Sequence, residues 1–167
     1  MRDAFGGAFM IKLFLVFIII YVGFTAIALN YAKAFKAKNI VIAYLEDNEI
    51  SDLKDVTAEA DMAMREYFEK ELVGNLNYVY PINCSINTSK ENWNAEKCFE
   101  DIGVYIEQVE PTEEYRNKLG TYYRVTTYFG FQLPFFDRIL AVSGRDNGEN
   151  VIGRWRIVGE TRPIAYE

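Results

Sequence analysis

Residues 5–24 read FGGAFMIKLFLVFIIIYVGF. Two glycines lead into a long apolar run, and a single lysine, Lys12, stands near its start. From Leu13 to Leu29 there is no charge, and only Tyr21 and Thr25 offer a side-chain polar group. At about 1.5 Å per residue, this stretch with its flanks Phe9–Ile11 and Tyr31–Ala32 is long enough to cross a hydrocarbon layer of about 30 Å. A secretory signal peptide has an apolar stretch of about 7–15 residues before a small-residue cleavage site, so the run is too long for that reading. It continues into NYAKAFKAKNIVIAYLEDNE (30–49), where Tyr31, Ala34/Phe35, Ile42 and Leu45 keep apolar groups at near-helical spacing. No proline occurs before Pro81. One helix over about residues 8–46 is expected, its first half in lipid and its second half outside. Globular proteins average about 11–12 residues per helix. A helix this long is either an anchor with a stalk or an element that packs beside copies of itself.

Charge is unevenly spread over the 167 residues. Residues 1–40 carry Arg2, Lys12, Lys33, Lys36 and Lys38 against Asp3, a net of +4, which leaves −10 for the rest of a chain of net charge −6. An acidic body lacks the basic face that nucleic acid requires. Basic residues gathered around an apolar run are what a membrane surface attracts. Histidine is absent, which removes the commonest general base, the Ser-His-Asp and Cys-His arrangements and most zinc sites. There is no G-x-x-x-x-G-K-[ST] or G-x-G-x-x-G motif. The carboxylate groups Glu46/Asp47/Glu49 and Glu113/Glu114 lie in polar surroundings and read as solvated faces. The expectation is a protein that is not an enzyme and uses no cofactor or metal.

Two signals bear on topology. Arg2 and Lys12 precede the run while Lys33, Lys36 and Lys38 follow it, and the positive-inside rule then favours a cytoplasmic C-terminal domain. The only cysteines, Cys84 and Cys98, bracket the polar loop CSINTSKENWNAEKC. A loop closed by a disulfide requires an oxidising exterior, and the chain-entropy model gives such a closure about 3 kcal/mol. Asn83-Cys84-Ser85 and Asn87-Thr88-Ser89 also match the short glycosylation triplet. The exterior is adopted here. The domain reading is residues 1–50 as transmembrane helix and stalk, and 51–167 as an extracellular head.

After EDNEISDLKD (46–55) comes VTAEADMAMREYFEKELVG (56–74), an amphipathic helix with Val56, Ala60, Met64, Tyr67 and Leu72 on one face and Gly74 as its stop signal. From Leu76 the period becomes two. NYVYPI (77–82) and GVYIEQVEP (103–111) are short strand candidates, and GTYYRVTTYFGFQLP (120–134) is the strongest. In the last, Tyr123, Val125, Thr127, Phe129 and Phe131 alternate with Tyr122, Arg124, Thr126 and Tyr128. ENVIGRWRIVGETRP (149–163) follows, with the turn residues SGRDNGEN (143–150) before it. Strands without intervening helices imply an antiparallel sheet. The fold class is α+β: a long N-terminal helix, a second amphipathic helix and about four strands.

A short basic leader, a glycine before a long apolar helix and an α+β head resemble type IV pilin-like proteins. The chain is most similar to the TadE-like pseudopilins of tight-adherence (Tad) pilus and secretion systems. The resemblance rests on YAKAFKAKN (31–39), YYRVTTYFGF (122–131), LPFF (133–136) and VGETRPI (158–164), at the two ends of the chain, and residues 51–120 add little. It implies a processing site between Gly7 and Ala8. The fifth mature residue is then Lys12, where the family usually has glutamate, a reversal of charge.

These readings lead to a pilin-like subunit or pseudopilin of a cell-surface filament or its secretion machinery. It would associate with copies of itself or related subunits through the N-terminal helix. Ala28 and Ala32, four residues apart, would let helices approach closely. Lys12 would pair with Asp3 of a neighbour, since within one helix the two stand about 13 Å apart along the axis. That pairing keeps the leader. The alternative is a single-pass, membrane-anchored binding or regulatory module that does not polymerise, with Lys12 snorkelling to the headgroups.

Overall fold

The computed structural model describes residues 2–48, 50, 53, 56–83, 96–109, 121–131 and 152–163, with backbone alone at 2–6, 8, 131 and 152–154. Helix α1 spans Arg2–Asp47, α2 spans Ala58–Phe68 and runs on into a π-helical segment, Glu69–Asn75. Four strands follow: β1 (Glu96–Phe99), β2 (Val104–Val109), β3 (Tyr122–Phe131) and β4 (Ile152–Glu160). The α+β expectation of a long helix, a second helix and a four-stranded antiparallel sheet holds. The chain divides into two compact units, Met1–Tyr31 with Gly130–Gly153, and Ala32–Phe129 with Arg154–Glu167.

In the first unit most described side chains of α1 are apolar and exposed, with Lys12 exposed among them and Ala26, Ile27 and Asn30 partly covered. Thr25, one of the two polar side chains after Lys12 in this run, returns its hydroxyl proton to the Tyr21 carbonyl at 2.9 Å. Such back-bonding hides a hydroxyl that has no other partner along an apolar helix.

In the second unit the sheet runs in the order β1-β2-β3-β4. Val104 lies opposite Thr127, Ile106 opposite Val125 and Gln108 opposite Tyr123. Phe99 continues the first of these rows on β1. Tyr123 with Thr161, Arg124 with Glu160 and Phe129 with Trp155 mark the β3–β4 register, the partner number falling as the β3 number rises. The alternation read from β3 reappears at Tyr123, Val125, Thr127 and Phe129, which face the core; Thr126 on the other face is buried as well, and the side chain of Phe131 lies outside the described residues.

That core is closed by α1. Ala34, Ala37, Val41 and Leu45 are fully buried at helical spacing, while Tyr31 and Phe35, expected on the same stripe, stay largely exposed. The small side chains permit a close approach: a Cβ added at Gly159 on β4 would meet Lys38 Cδ at 2.6 Å and Ile42 Cδ1 at 3.0 Å. The Thr127 hydroxyl donates to the Ala34 carbonyl at 3.0 Å, and Tyr123 donates to the Ile50 carbonyl at 2.6 Å. Met64, Phe68 and Leu72 complete the cluster with Leu53, Tyr78, Phe99 and Ile102.

Three details differ from the sequence reading. The buried face of α2 is Met64, Phe68 and Leu72, with Ala60 and Tyr67 exposed and Val56 partly buried. Four residues overshoot one turn of α-helix and fall short of one turn of the wider π-helix, so the two drifts offset and keep the three in line. The helix does not stop at Gly74, which lies inside the π segment; the left-handed residue is Asn77, at φ 50°, a conformation asparagine tolerates. Residues 77–82 are not a strand. Pro81 has no N–H to give, and Tyr80 and Ile82 donate instead to the Ile102 and Glu100 carbonyls around the β1–β2 turn. The fourth strand is β1, which the sequence reading did not identify. The turn residues 143–150 lie outside the described residues.

Candidate functional site

Two surfaces stand out, one in each unit. On α1 the large apolar side chains from Phe9 to Phe24 are exposed on every side of the helix, as is Leu29, while Ile27 is partly covered. Leu13, Phe14, Leu15, Val16, Phe17, Ile18, Ile19 and Ile20 are consecutive and all exposed, and Phe14, Tyr21 and Phe24 are each about 70% open. Eight residues in a row cover more than two turns, so no face of this segment is reserved for a core of its own. Among the described residues this is one helix long and apolar enough to span a membrane.

The residues assigned to assembly by sequence lie along this helix. Lys12 is exposed, as are Ala28 and Ala32. A Cβ at Gly7 would meet nothing within 4 Å, so the first position of the expected processing pair is open. The side chains of Asp3 and Ala8 lie outside the described residues, as does Cys84. Cys98 sits on β1, partly buried, opposite Tyr105.

The second surface is the outer face of the sheet, built in rows across the strands. Glu107 lies opposite Arg124, and Arg124 continues to Glu160, with Nε–Oε1 at 3.1 Å and Nη1 to Glu107 Oε2 at 3.6 Å. The next row is Tyr105 and Thr126, extended by Val158 in the register that the β3–β4 contacts set. The third is Gly103, whose carbonyl accepts from the Tyr128 amide at 3.1 Å, then Tyr128 and Arg156. Together Tyr105, Glu107, Arg124, Thr126, Tyr128, Arg156 and Val158 line a pocket of about 340 Å³.

The charges in this pocket are unequal. The bond to Glu160 is the largest influence on Arg124 and raises its already high pKa, against an opposing effect of burial. Burial, then the hydrogen bond to Glu96, pushes the Tyr105 hydroxyl above the usual tyrosine range, so it remains a neutral phenol at physiological pH. Arg156 is exposed and takes part in no ion pair among the described residues. The sequence reading placed Arg124, Thr126 and Tyr128 on one face of β3 but did not single out Tyr105, Glu107 or Arg156 as a group. The alternation of β2 and β4 carried the signal; the register joining them did not show in the sequence.

In comparisons with known proteins, no family model, no curated protein and no solved structure matches this chain.

Proposed function

We propose that this chain is a pilin-like structural subunit or pseudopilin, similar to the TadE-like proteins of tight-adherence systems, and that it assembles through α1. The observation that carries the reading is the all-round exposure of apolar side chains from Phe9 to Phe24. Such a surface must be covered by lipid or by other helices. A membrane stage followed by helix-to-helix packing covers it by each in turn. The subunit would be single-pass in the cell membrane, with the C-terminal domain outside, and Ala28 and Ala32 at the helix contact. A disulfide between Cys84 and Cys98 belongs to this topology. In protein taken from its native membrane both thiols should resist maleimide until reductant is added, and free thiols there would argue for a cytoplasmic domain.

Negative-stain imaging of purified full-length protein tests the reading. Filaments or discrete oligomers are expected, and Ala28→Leu with Ala32→Leu should abolish them without preventing membrane insertion. Oligomers unaffected by the double substitution would count against this packing. The outer-face pocket favours a second reading, a membrane-anchored binding module, for which the same preparation should show single particles only.

A further inference from the structure

We propose that the end of the second unit where α1 enters it docks on a membrane surface, with Lys33 and Lys36 receiving the phosphates of anionic phospholipids and Trp155 resting among the headgroups. This rests on the membrane-spanning reading of α1 and holds whether or not the chain assembles.

Helix length sets the level of the lysines. Phe9 to Leu29 covers about 30 Å at about 1.5 Å per residue, the thickness of the hydrocarbon layer, and the headgroup zone adds about 5–8 Å on each side. Helix α1 continues unbroken to Asp47, so Lys33 stands about 6 Å and Lys36 about 10 Å beyond Leu29 along the axis. The first lies within the headgroup zone, and the second reaches it on a long, flexible side chain. Three positions apart, the two share a face of the helix. Lys36 is exposed and Lys33 partly so, and neither takes part in an ion pair among the described residues. Lys33 approaches the Asn77 carbonyl at 3.5 Å, too long to hold the ammonium firmly. Lys38, by contrast, is used by the fold: its stem lies against Gly159, and its ammonium stands 4.3 Å from the Phe35 ring centre.

The sheet brings aromatic groups to the same end. Down α1 toward its N-terminus, Gly159 packs against Lys38 and Ile42, then Thr127 bonds to Ala34, and Phe129 with Trp155 forms the row beyond. These two rings are 5.6 Å apart. Trp155 nevertheless stays 42% exposed on the sheet's inner face, and Phe35 on α1 is 43% exposed. A half-open tryptophan, apolar in its rings and polar at its N–H, suits the boundary between hydrocarbon and water.

Charge selects the lipid. The chain beyond residue 40 carries a net −10, but its acids stand away from this end. On α1 no acid follows Asp3 until Glu46, about 15 Å beyond Lys36. Glu107 and Glu160 are engaged by Arg124 toward the opposite end, where Tyr123 reaches Ile50. Glu100 and Asp101 lie in the β1–β2 turn, two to three strand spacings from β4, about 10–14 Å. Arg65 engages Asp101 at 3.0 Å. Glu71, on the segment that leads to Asn77, accepts from the Asn75 amide at 2.9 Å and forms no ion pair among the described residues. Exposed charges more than about 8 Å apart are largely screened at physiological salt. The field where α1 enters the unit is therefore basic, and anionic lipid gathers beside such a cluster at a membrane surface.

The test uses the full-length protein with Trp93→Phe, which leaves Trp155 as its one tryptophan, inserted in vesicles of equal parts phosphatidylcholine and phosphatidylglycerol. A nitroxide just below the headgroup is carried by one lipid or the other, and a further preparation carries it near the chain end. The expected result is quenching of Trp155 fluorescence by the shallow label and not the deep one, stronger when phosphatidylglycerol carries it. Lys33→Gln with Lys36→Gln should reduce that preference about fivefold or more, the share that one or two surface lysines supply. Lys33→Arg with Lys36→Arg should keep it, and every variant should retain the parent's circular dichroism. Equal quenching by the two lipids, or a preference unchanged by Lys33→Gln with Lys36→Gln, overturns the proposal and leaves the membrane span standing. Trp155 out of reach of both shallow labels also overturns it, and cross-links through this face would then assign it to a second copy. A chain that does not float with the vesicles would remove the span and this surface together.

Discussion

The carbonyl of Tyr80 lies so close over Gly103 that a Cβ at that glycine would stand 1.9 Å from its oxygen. Gly103 also has φ +80°, a conformation that L side chains rarely adopt. The obstacle is backbone, so no rotamer change relieves it. Gly103→Ala should therefore lower stability by about 2–4 kcal/mol, combining strain at the left-handed position with overpacking. Urea titration of the full chain in detergent measures this. An unchanged midpoint would mean that residues 77–82 are free to move off the β1–β2 turn.

Gln108 and Thr127 make buried polar contacts of unequal importance. Gln108, 1% exposed, accepts from the Leu53 amide at 2.9 Å, while Thr127 donates to the Ala34 carbonyl. Replacing Gln108 with leucine strands a buried N–H, at a cost of about 1–3 kcal/mol. Replacing Thr127 with valine leaves the Ala34 carbonyl in its own helix, and the loss should be only about 0.5–1.5 kcal/mol. The order of the two denaturation midpoints is the readout, and a reversed order would show that the Thr127 contact, not Gln108, fixes the sheet to its neighbours.

The elements that sequence made legible are those whose pattern is long. Helix α1 announces itself by an uninterrupted apolar run, and β3 by an alternation that reappears as Tyr123, Val125, Thr127 and Phe129 buried in turn. Strand β1 has four residues, Glu-Lys-Cys-Phe, too few and too polar for a period to register. NYVYPI looked more like a strand because its composition is right, but composition does not say whose carbonyls its amides will meet. Phe68 displaced Tyr67 on the buried face because the helix widens after it, and that widening is a tertiary choice. The pocket shows the same limit. Each strand's outward residues could be named, yet Arg156 comes beside Tyr128 only through a pairing of strands separated by twenty residues, which no local pattern encodes.

Alkaline pH should loosen the second unit. Burial pushes the hydroxyls of Tyr78 and Tyr105 above the usual tyrosine range, and the bond to Glu96 adds to the shift of Tyr105. The folded state thus favours the neutral phenols. That contribution is complete below the ordinary tyrosine pKa of about 10 and is lost progressively as pH rises above it. Tyr78 also donates to the Tyr128 carbonyl. Tyr78→Phe should be less stable at neutral pH by about 1 kcal/mol, yet lose less additional stability above pH 10 than the parent. Thermal melts across that range, with tyrosinate absorbance as a check on ionisation, distinguish the two. Parallel slopes for parent and variant would remove Tyr78 as a source of alkaline sensitivity.

Lys12 supplies the sharpest test of assembly. In a lone anchor, a lysine near the end of an apolar helix extends its methylenes along the lipid boundary and places its ammonium among headgroups. Within packed helices that route closes, and a buried ammonium needs a carboxylate. Asp3 is the only acidic residue before Glu46, and nine positions of helix separate it from Lys12 by about 13 Å. A neighbouring copy shifted along the axis by that distance brings its Asp3 beside this Lys12, the reverse of the pairing that a glutamate at the fifth mature position would make. On this proposal Lys12→Glu blocks assembly, and Lys12→Glu with Asp3→Lys restores part of it. Negative-stain counts of assembled particles read both variants, with membrane insertion confirmed for each. If Lys12→Ala assembles as well as the parent, the lysine is a snorkelling residue and the Asp3 pairing is wrong.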